Sequence, residues 1–171
     1  MKFPLVVALV TALAAGPVCA QGGRPANPIY FGVKGGLIDH DFSGFDEATN
    51  LGVFVGYTLY EDPNGSFFAE GEYTRTLSDG DYPGGEWDLE TLAAYGGYRT
   101  AGTWFAMAKL GFGWWDLNAD GAATPAERDD TDFTFGAGGG YRVDRDTGLQ
   151  VEYTRIESDI DALWFSFFTR F

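Results

Sequence analysis

The chain is poor in cysteine and histidine and, past its first residues, in lysine. Its single cysteine, Cys19, falls inside an N-terminal export signal, so no disulfide framework is expected in the exported chain. The single histidine, His40, leaves little from which to build hydrolytic chemistry, because a nucleophile needs a base at hydrogen-bond reach. Ser43 lies three residues away and Asp39 and Asp41 flank His40, but strand alternation puts His40 and Ser43 on opposite sides. A polar loop tip is the simpler reading. Lysine is confined to Lys2, Lys34 and Lys109. Without Lys2 the balance is 10 Lys+Arg to 25 Asp+Glu, a net charge of about −15. Phosphate backbones demand a basic surface, so nucleic acid is excluded as a partner, whereas divalent cations and basic partners are electrostatically easier. Beyond the signal no window carries the 18 or so unbroken apolar residues of a membrane helix.

The signal itself spans residues 1–20. Lys2 supplies its positive start, Leu5 to Ala15 its apolar stretch, and Val18-Cys19-Ala20 a small-residue cleavage site. Pro17 and Val18 fit poorly ahead of an acylated cysteine, which favours simple cleavage after Ala20. Residues 21–28 read as a short periplasmic lead, and 29–171 as one domain.

From Ile29 onward about ten residues of period-two alternation are followed by a turn, eight times over. The outward apolar faces read as Ile29, Phe31, Val33 and Leu37; Leu51, Val53, Val55, Tyr57 and Leu59; Phe67, Ala69, Tyr73 and Leu77. Next come Trp87, Leu89, Ala93 and Tyr95; Trp104, Ala106, Ala108, Leu110, Phe112 and Trp114; Phe133, Phe135, Ala137, Tyr141 and Val143. Leu149, Val151 and Tyr153 form the seventh, and Leu163, Phe165, Phe167, Thr169 and Phe171 the eighth. A soluble barrel would crowd its second face with Lys, Glu, Thr and Ser. Here that face carries Gly32, Gly36, Gly52, Gly56, Gly96, Gly111, Gly113, Gly136, Gly138 and Gly140, which suits a narrow interior. Aromatics near strand ends (Tyr30, Tyr57, Tyr60, Trp87, Tyr95, Trp104, Trp114, Tyr141 and Tyr153) suit interfacial girdles.

The connections 61–66, 99–102 and 144–147 are short, while 40–50, 78–86, 116–131 and 157–161 are mostly longer. Outer-membrane barrels place short turns in the periplasm and longer loops outside. The expected fold is therefore all-β: an eight-stranded antiparallel up-and-down transmembrane β-barrel. An unprotected aromatic strand at the chain end fits a barrel whose edges are all paired.

The segments Tyr30-Phe31-Gly32-Val33-Lys34-Gly35-Gly36, Lys109-Leu110-Gly111-Phe112-Gly113-Trp114-Trp115, Gly136-Ala137-Gly138-Gly139-Gly140-Tyr141-Arg142 and Gly148-Leu149-Gln150-Val151-Glu152-Tyr153 carry a likeness. With the terminal Arg170-Phe171, they make the chain resemble the OmpA-like family of small outer-membrane β-barrels. The resemblance implies a Gram-negative outer membrane, contact with its lipid and lipopolysaccharide, and Phe171 as the aromatic read by the assembly machinery. The peptidoglycan-binding domain of larger family members is not expected, since nothing follows Phe171. A monomer is expected.

Seven charges fall mid-strand on the presumed lumen face: Glu70, Glu72, Glu90, Lys109, Arg142, Glu152 and Arg170. Glu72, Lys109 and Glu152 count to similar heights, with Glu70, Arg142 and Arg170 lower. A buried charge must be paired, because desolvating a lone ion costs several kcal/mol. Lys109 between carboxylates is thus expected to form a salt-bridge network, which resembles the ion-pair gate of the family. It would serve either as a plug sealing the lumen or as a gate for small ions.

One loop matches the EF-hand pattern D-x-[DN]-x-[DN]-G-x5-E from Asp116 to Glu127. Calcium would take side-chain oxygens of Asp116, Asn118, Asp120 and Glu127, a carbonyl from Ala122 and help from Thr124 through water. Its flanks read as strands rather than helices, and a solvated acidic loop is the alternative. The expected function is non-enzymatic, a structural contribution to the envelope with a closed lumen. A small-ion pore, an adhesin with a calcium-binding loop and a lipid A-modifying enzyme are the competing readings.

Overall fold

A computed structural model describes residues 27–40, 48–78, 80–82, 85–121, 126–157 and 160–171. Among them nine strands follow one another: β1 (Ile29–His40), β2 (Ala48–Asp62), β3 (Gly65–Ser78), β4 (Gly80–Tyr82), β5 (Gly85–Thr100), β6 (Trp104–Gly121), β7 (Ala126–Arg142), β8 (Thr147–Glu157) and β9 (Ile160–Arg170). The three-residue β4 continues the edge of β3 along β5. Arg75 faces Glu90 whereas Gly80 faces Trp87, so five steps on one side meet three on the other, a bulge. The wall therefore has eight members.

Every neighbouring pair is antiparallel, and β1 pairs β9 from Tyr30↔Arg170 to His40↔Ile160. That seam closes the sheet into an eight-stranded barrel. Closure matters because hydrocarbon offers no partner for an edge N–H or C=O. The amide of Phe171 extends the seam by donating to the Ile29 carbonyl at 3.0 Å, and its ring stacks on Phe31 with centroids 5.4 Å apart.

Alternation does what the sequence predicts on seven of the eight strands. Leu51, Leu110, Phe112, Phe135 and Phe165 stand exposed on the outer surface, while Phe54, Lys109, Thr134 and Trp164 point into the lumen and are buried. An exposed apolar belt is unfavourable in water and favourable in lipid.

The fourth alternating segment is a correction. Leu89, Ala93 and Tyr95, read as lipid-facing, are buried inside, and Glu90, Leu92, Ala94 and Gly96 lie on the outer side. Both faces of β5 carry apolar side chains, so alternation alone does not distinguish them. Pairing does: Glu70 faces Tyr95, Glu72 faces Ala93 and Thr74 faces Thr91 across the β3–β5 ladder. Directly opposed residues share a face, so lumen-directed glutamates bring their partners inward. Tyr30 likewise leaves the girdle for the lumen. Gly97, not Gly96, takes the inner position, against Phe68 and Lys109.

β6 runs 18 residues, well beyond the 9–11 or so that cross the bilayer as a tilted strand. The segment read as a long loop is thus largely ladder: Asp116 faces Asp129, Asn118 faces Glu127 and Ala119 faces Ala126. At the opposite end the turns are tight. Gly102 has φ of 107°, a left-handed conformation that side chains disfavour, in the turn between β5 and β6.

Candidate functional site

The lumen is packed in three layers. At the long-connection end Ile38, Ala48, Leu89, Trp115, Ile156, Ile160, Ala162 and Trp164 form a buried apolar cluster. At the short-turn end Tyr30, Phe54, Phe68, Phe105, Met107 and Phe168 form a second, with rings meeting edge to face at 6.1–6.3 Å. Glycines on the neighbouring strands make room for those rings. A Cβ at Gly32 would overlap Phe54, one at Gly56 would overlap Tyr30, and one at Gly140 would overlap Phe105.

Between these layers lie the charges. Lys109 Nζ contacts Glu70 Oε1 at 3.1 Å, Glu152 Oε1 at 2.8 Å and Glu72 Oε1. Lys34 Nζ donates to Glu72 Oε2 at 2.6 Å and sits 4.2 Å from the Trp164 ring. Tyr30 Oη donates to Glu70 Oε2 at 2.8 Å, and Thr154 Oγ1 to Glu152 Oε1 at 2.6 Å. Every carboxylate here has at least two partners. Among the described residues the fully buried charges balance, Lys34, Arg99 and Lys109 against Glu70, Glu72 and Glu152. Balanced opposite charges with every carboxylate partnered are what a low-dielectric interior tolerates. Beside these charges a small chamber whose lining includes Lys34, Thr74, Thr91, Thr134, Ile156 and Trp164 has room for roughly one water, about 10 Å³.

Four of the seven charges singled out in the sequence, Glu70, Glu72, Lys109 and Glu152, meet in this network. Glu90 does not: it follows β5 to the outer face, where it accepts a hydrogen bond from Tyr73 Oη at 2.9 Å. Arg142 and Arg170 sit at the short-turn mouth instead. Arg142 donates to the carbonyls of Gly102 and, at 3.3 Å, Thr100. Arg170 pairs with Glu61 at 3.4 Å. Two buried cations were missed by sequence reasoning, Lys34, which joins this network, and Arg99, which does not. Lys34 lies four residues after Tyr30 on the inner parity of β1, which the alternation already marked. Arg99 was hidden by the reversed face of β5 and by its assignment to a turn. Its guanidinium is 1 % exposed and stands 4.8–5.3 Å from the rings of Tyr30, Phe68, Phe105 and Phe168.

The described parts of the calcium-like segment are paired strand. Asp116, Asn118 and Asp120 lie on β6 and Glu127 on β7, while Ala122 and Thr124 lie outside the described residues. Among the described residues no group of three carboxylate, histidine or cysteine side chains is arranged to hold a metal ion.

A closed barrel with an outward apolar belt and an inward ionic core defines an integral outer-membrane β-barrel protein. The family model for the outer membrane protein beta-barrel domain matches residues 5–169, and the chain belongs to that family. Among solved structures it is similar to neisserial surface protein A, at 12 % identity over 84 % of this chain and 97 % of that one, with a TM-score of 0.63. The attachment invasion locus protein Ail of Yersinia pestis matches at 14 % identity, over 84 % and 96 %, with a TM-score of 0.59. The N-terminal barrel of Pseudomonas aeruginosa OprF matches at 11 %, over 83 % and 97 %, with a TM-score of 0.54. At these identities the likeness is one of fold. Among curated protein sequences none matches this chain. The protein is thus placed in the outer membrane of a Gram-negative bacterium, with its short turns toward the periplasm.

Proposed function

We propose that this barrel is a non-catalytic structural protein of the outer membrane, with a lumen closed to solutes, that contributes to envelope integrity. The observation that carries this reading is the filling of the lumen by apolar, ionic and aromatic layers in series. An eight-stranded barrel has an interior just wide enough for side chains, and here they saturate one another: Lys109 is spent on three carboxylates and Glu72 on two ammonium groups. Such groups are poorly placed to act on a substrate. Lipopolysaccharide and outer-leaflet lipid are the surroundings the outer belt fits. Phe171, exposed at the seam, is the residue we assign to recognition by the assembly machinery. Deleting the gene and following entry of a hydrophobic fluorescent probe into intact cells tests the role. Uptake should rise and fall back on complementation; unchanged uptake contradicts it.

A further inference from the structure

The periplasmic mouth gathers arginines among its carboxylates, Arg142, Arg145 and Arg170 beside Glu61, Asp62, Asp144 and Asp146. Three short turns and the end of β9 enclose a bowl of about 930 Å³ whose lining includes Arg142, Arg145 and Arg170. Behind them stands Arg99. Its guanidinium carbon and that of Arg142 lie 5.3 and 4.9 Å from the same Phe105 ring, so two like charges share one aromatic face or edge. Among the described residues the hydrogen bonds of both go to neutral oxygens: Arg99 to Gln150 Oε1 at 3.4 Å, and Arg142 to the Thr100 and Gly102 carbonyls. Arg99 Nε, buried, has no hydrogen-bond partner.

The carboxylates of the bowl are largely engaged. Asp62 Oδ1 accepts from the Asn64 and Gly65 amides and Asp144 Oδ1 from those of Asp146 and Thr147, which draws both into their own turns. Glu61 faces Arg170, leaving Asp146 as the carboxylate without such a bond among these four. Guanidinium groups present paired N–H donors that match phosphate oxygens.

We propose that this mouth is a binding site for a phosphate-bearing anion presented from the periplasmic side, with Arg142 and Arg170 as its principal donors and Arg99 adding charge from behind. It is independent of whether the lumen conducts, because the site lies below the aromatic layer.

Calorimetric titration of the refolded full chain in a polyoxyethylene detergent with inorganic pyrophosphate tests this. Saturable heat is expected, weakened at least tenfold in Arg142→Gln/Arg170→Gln and suppressed as sodium chloride rises. The heat-dependent gel shift of a folded barrel checks the variant, and Arg142→Lys/Arg170→Lys serves if the first fails to fold, with an intermediate loss expected. Binding of pyrophosphate assigns a soluble anion. Should pyrophosphate give no heat, preferential retention of phosphatidylglycerol by the wild type over the variant in nanodiscs assigns a headgroup phosphate. Equal behaviour of wild type and variants toward both probes overturns the proposal.

Discussion

Lys109 is the residue on which the interior depends most. Three buried carboxylates converge on its ammonium, whereas Lys34 bonds Glu72 and Arg99 bonds Gln150. Removing one partner of a buried ion pair costs about 3–5 kcal/mol, because an uncompensated charge stays behind. Lys109→Met should therefore lower unfolding stability by about that much, read as a drop in the urea midpoint of the refolded barrel. Adding Glu70→Gln, Glu72→Gln and Glu152→Gln should restore much of it. A midpoint unmoved by Lys109→Met would deny the network its structural weight.

A second residue sits outside the membrane. The amide of Asp146, and then that of Thr147, hold the Asp144 carboxyl below the usual carboxylate range. A depressed folded-state pKa gives stability that is present above the unfolded value, about 3.9, and is lost as pH falls through the folded one. The difference in urea midpoint between wild type and Asp144→Asn should accordingly be largest at neutral pH and shrink below about pH 4. A difference independent of pH would show that the turn does not need the charge.

At the scale of the element, most of the barrel is legible in the sequence because water, lipid and lumen each demand a different side chain. β1, β2 and β9 alternate without ambiguity, and their faces follow. β5 does not, since Leu92 and Ala94 are as apolar as Leu89 and Ala93, and only pairing with Glu70 and Glu72 on β3 fixes the parity. The misread strand carried Glu90 into the lumen on paper and kept Arg99 out of it. In physical terms alternation is local information and register is not. The long hairpin of β6 and β7 escaped for a related reason: acidic, glycine-containing stretches read as loop, yet a ladder begun inside the membrane can continue past it. Cysteine labelling settles the parity of β5. A cysteine at Leu92 should react with a lipid-soluble maleimide in the folded protein and one at Leu89 should stay protected; the reverse would restore the sequence reading.

For the whole molecule, the three lumen layers act in series, so no single side-chain movement opens a path. The apolar layer offers an ion nothing in place of its hydration shell. In the ionic layer all three carboxylates are held by Lys109, and the aromatic layer is wedged against glycines that would lose their fit with any Cβ. Closure of the barrel supplies stability by pairing both edges of the sheet, while the interior keeps the bilayer sealed. The most direct measurement is conductance of the refolded protein in a planar bilayer. We expect a flat trace at moderate voltage for the wild type, and for Lys109→Met as well, because the apolar and aromatic layers stay in place. Reproducible single-channel steps from the wild type would contradict a sealed lumen and make the ion-paired layer a gate.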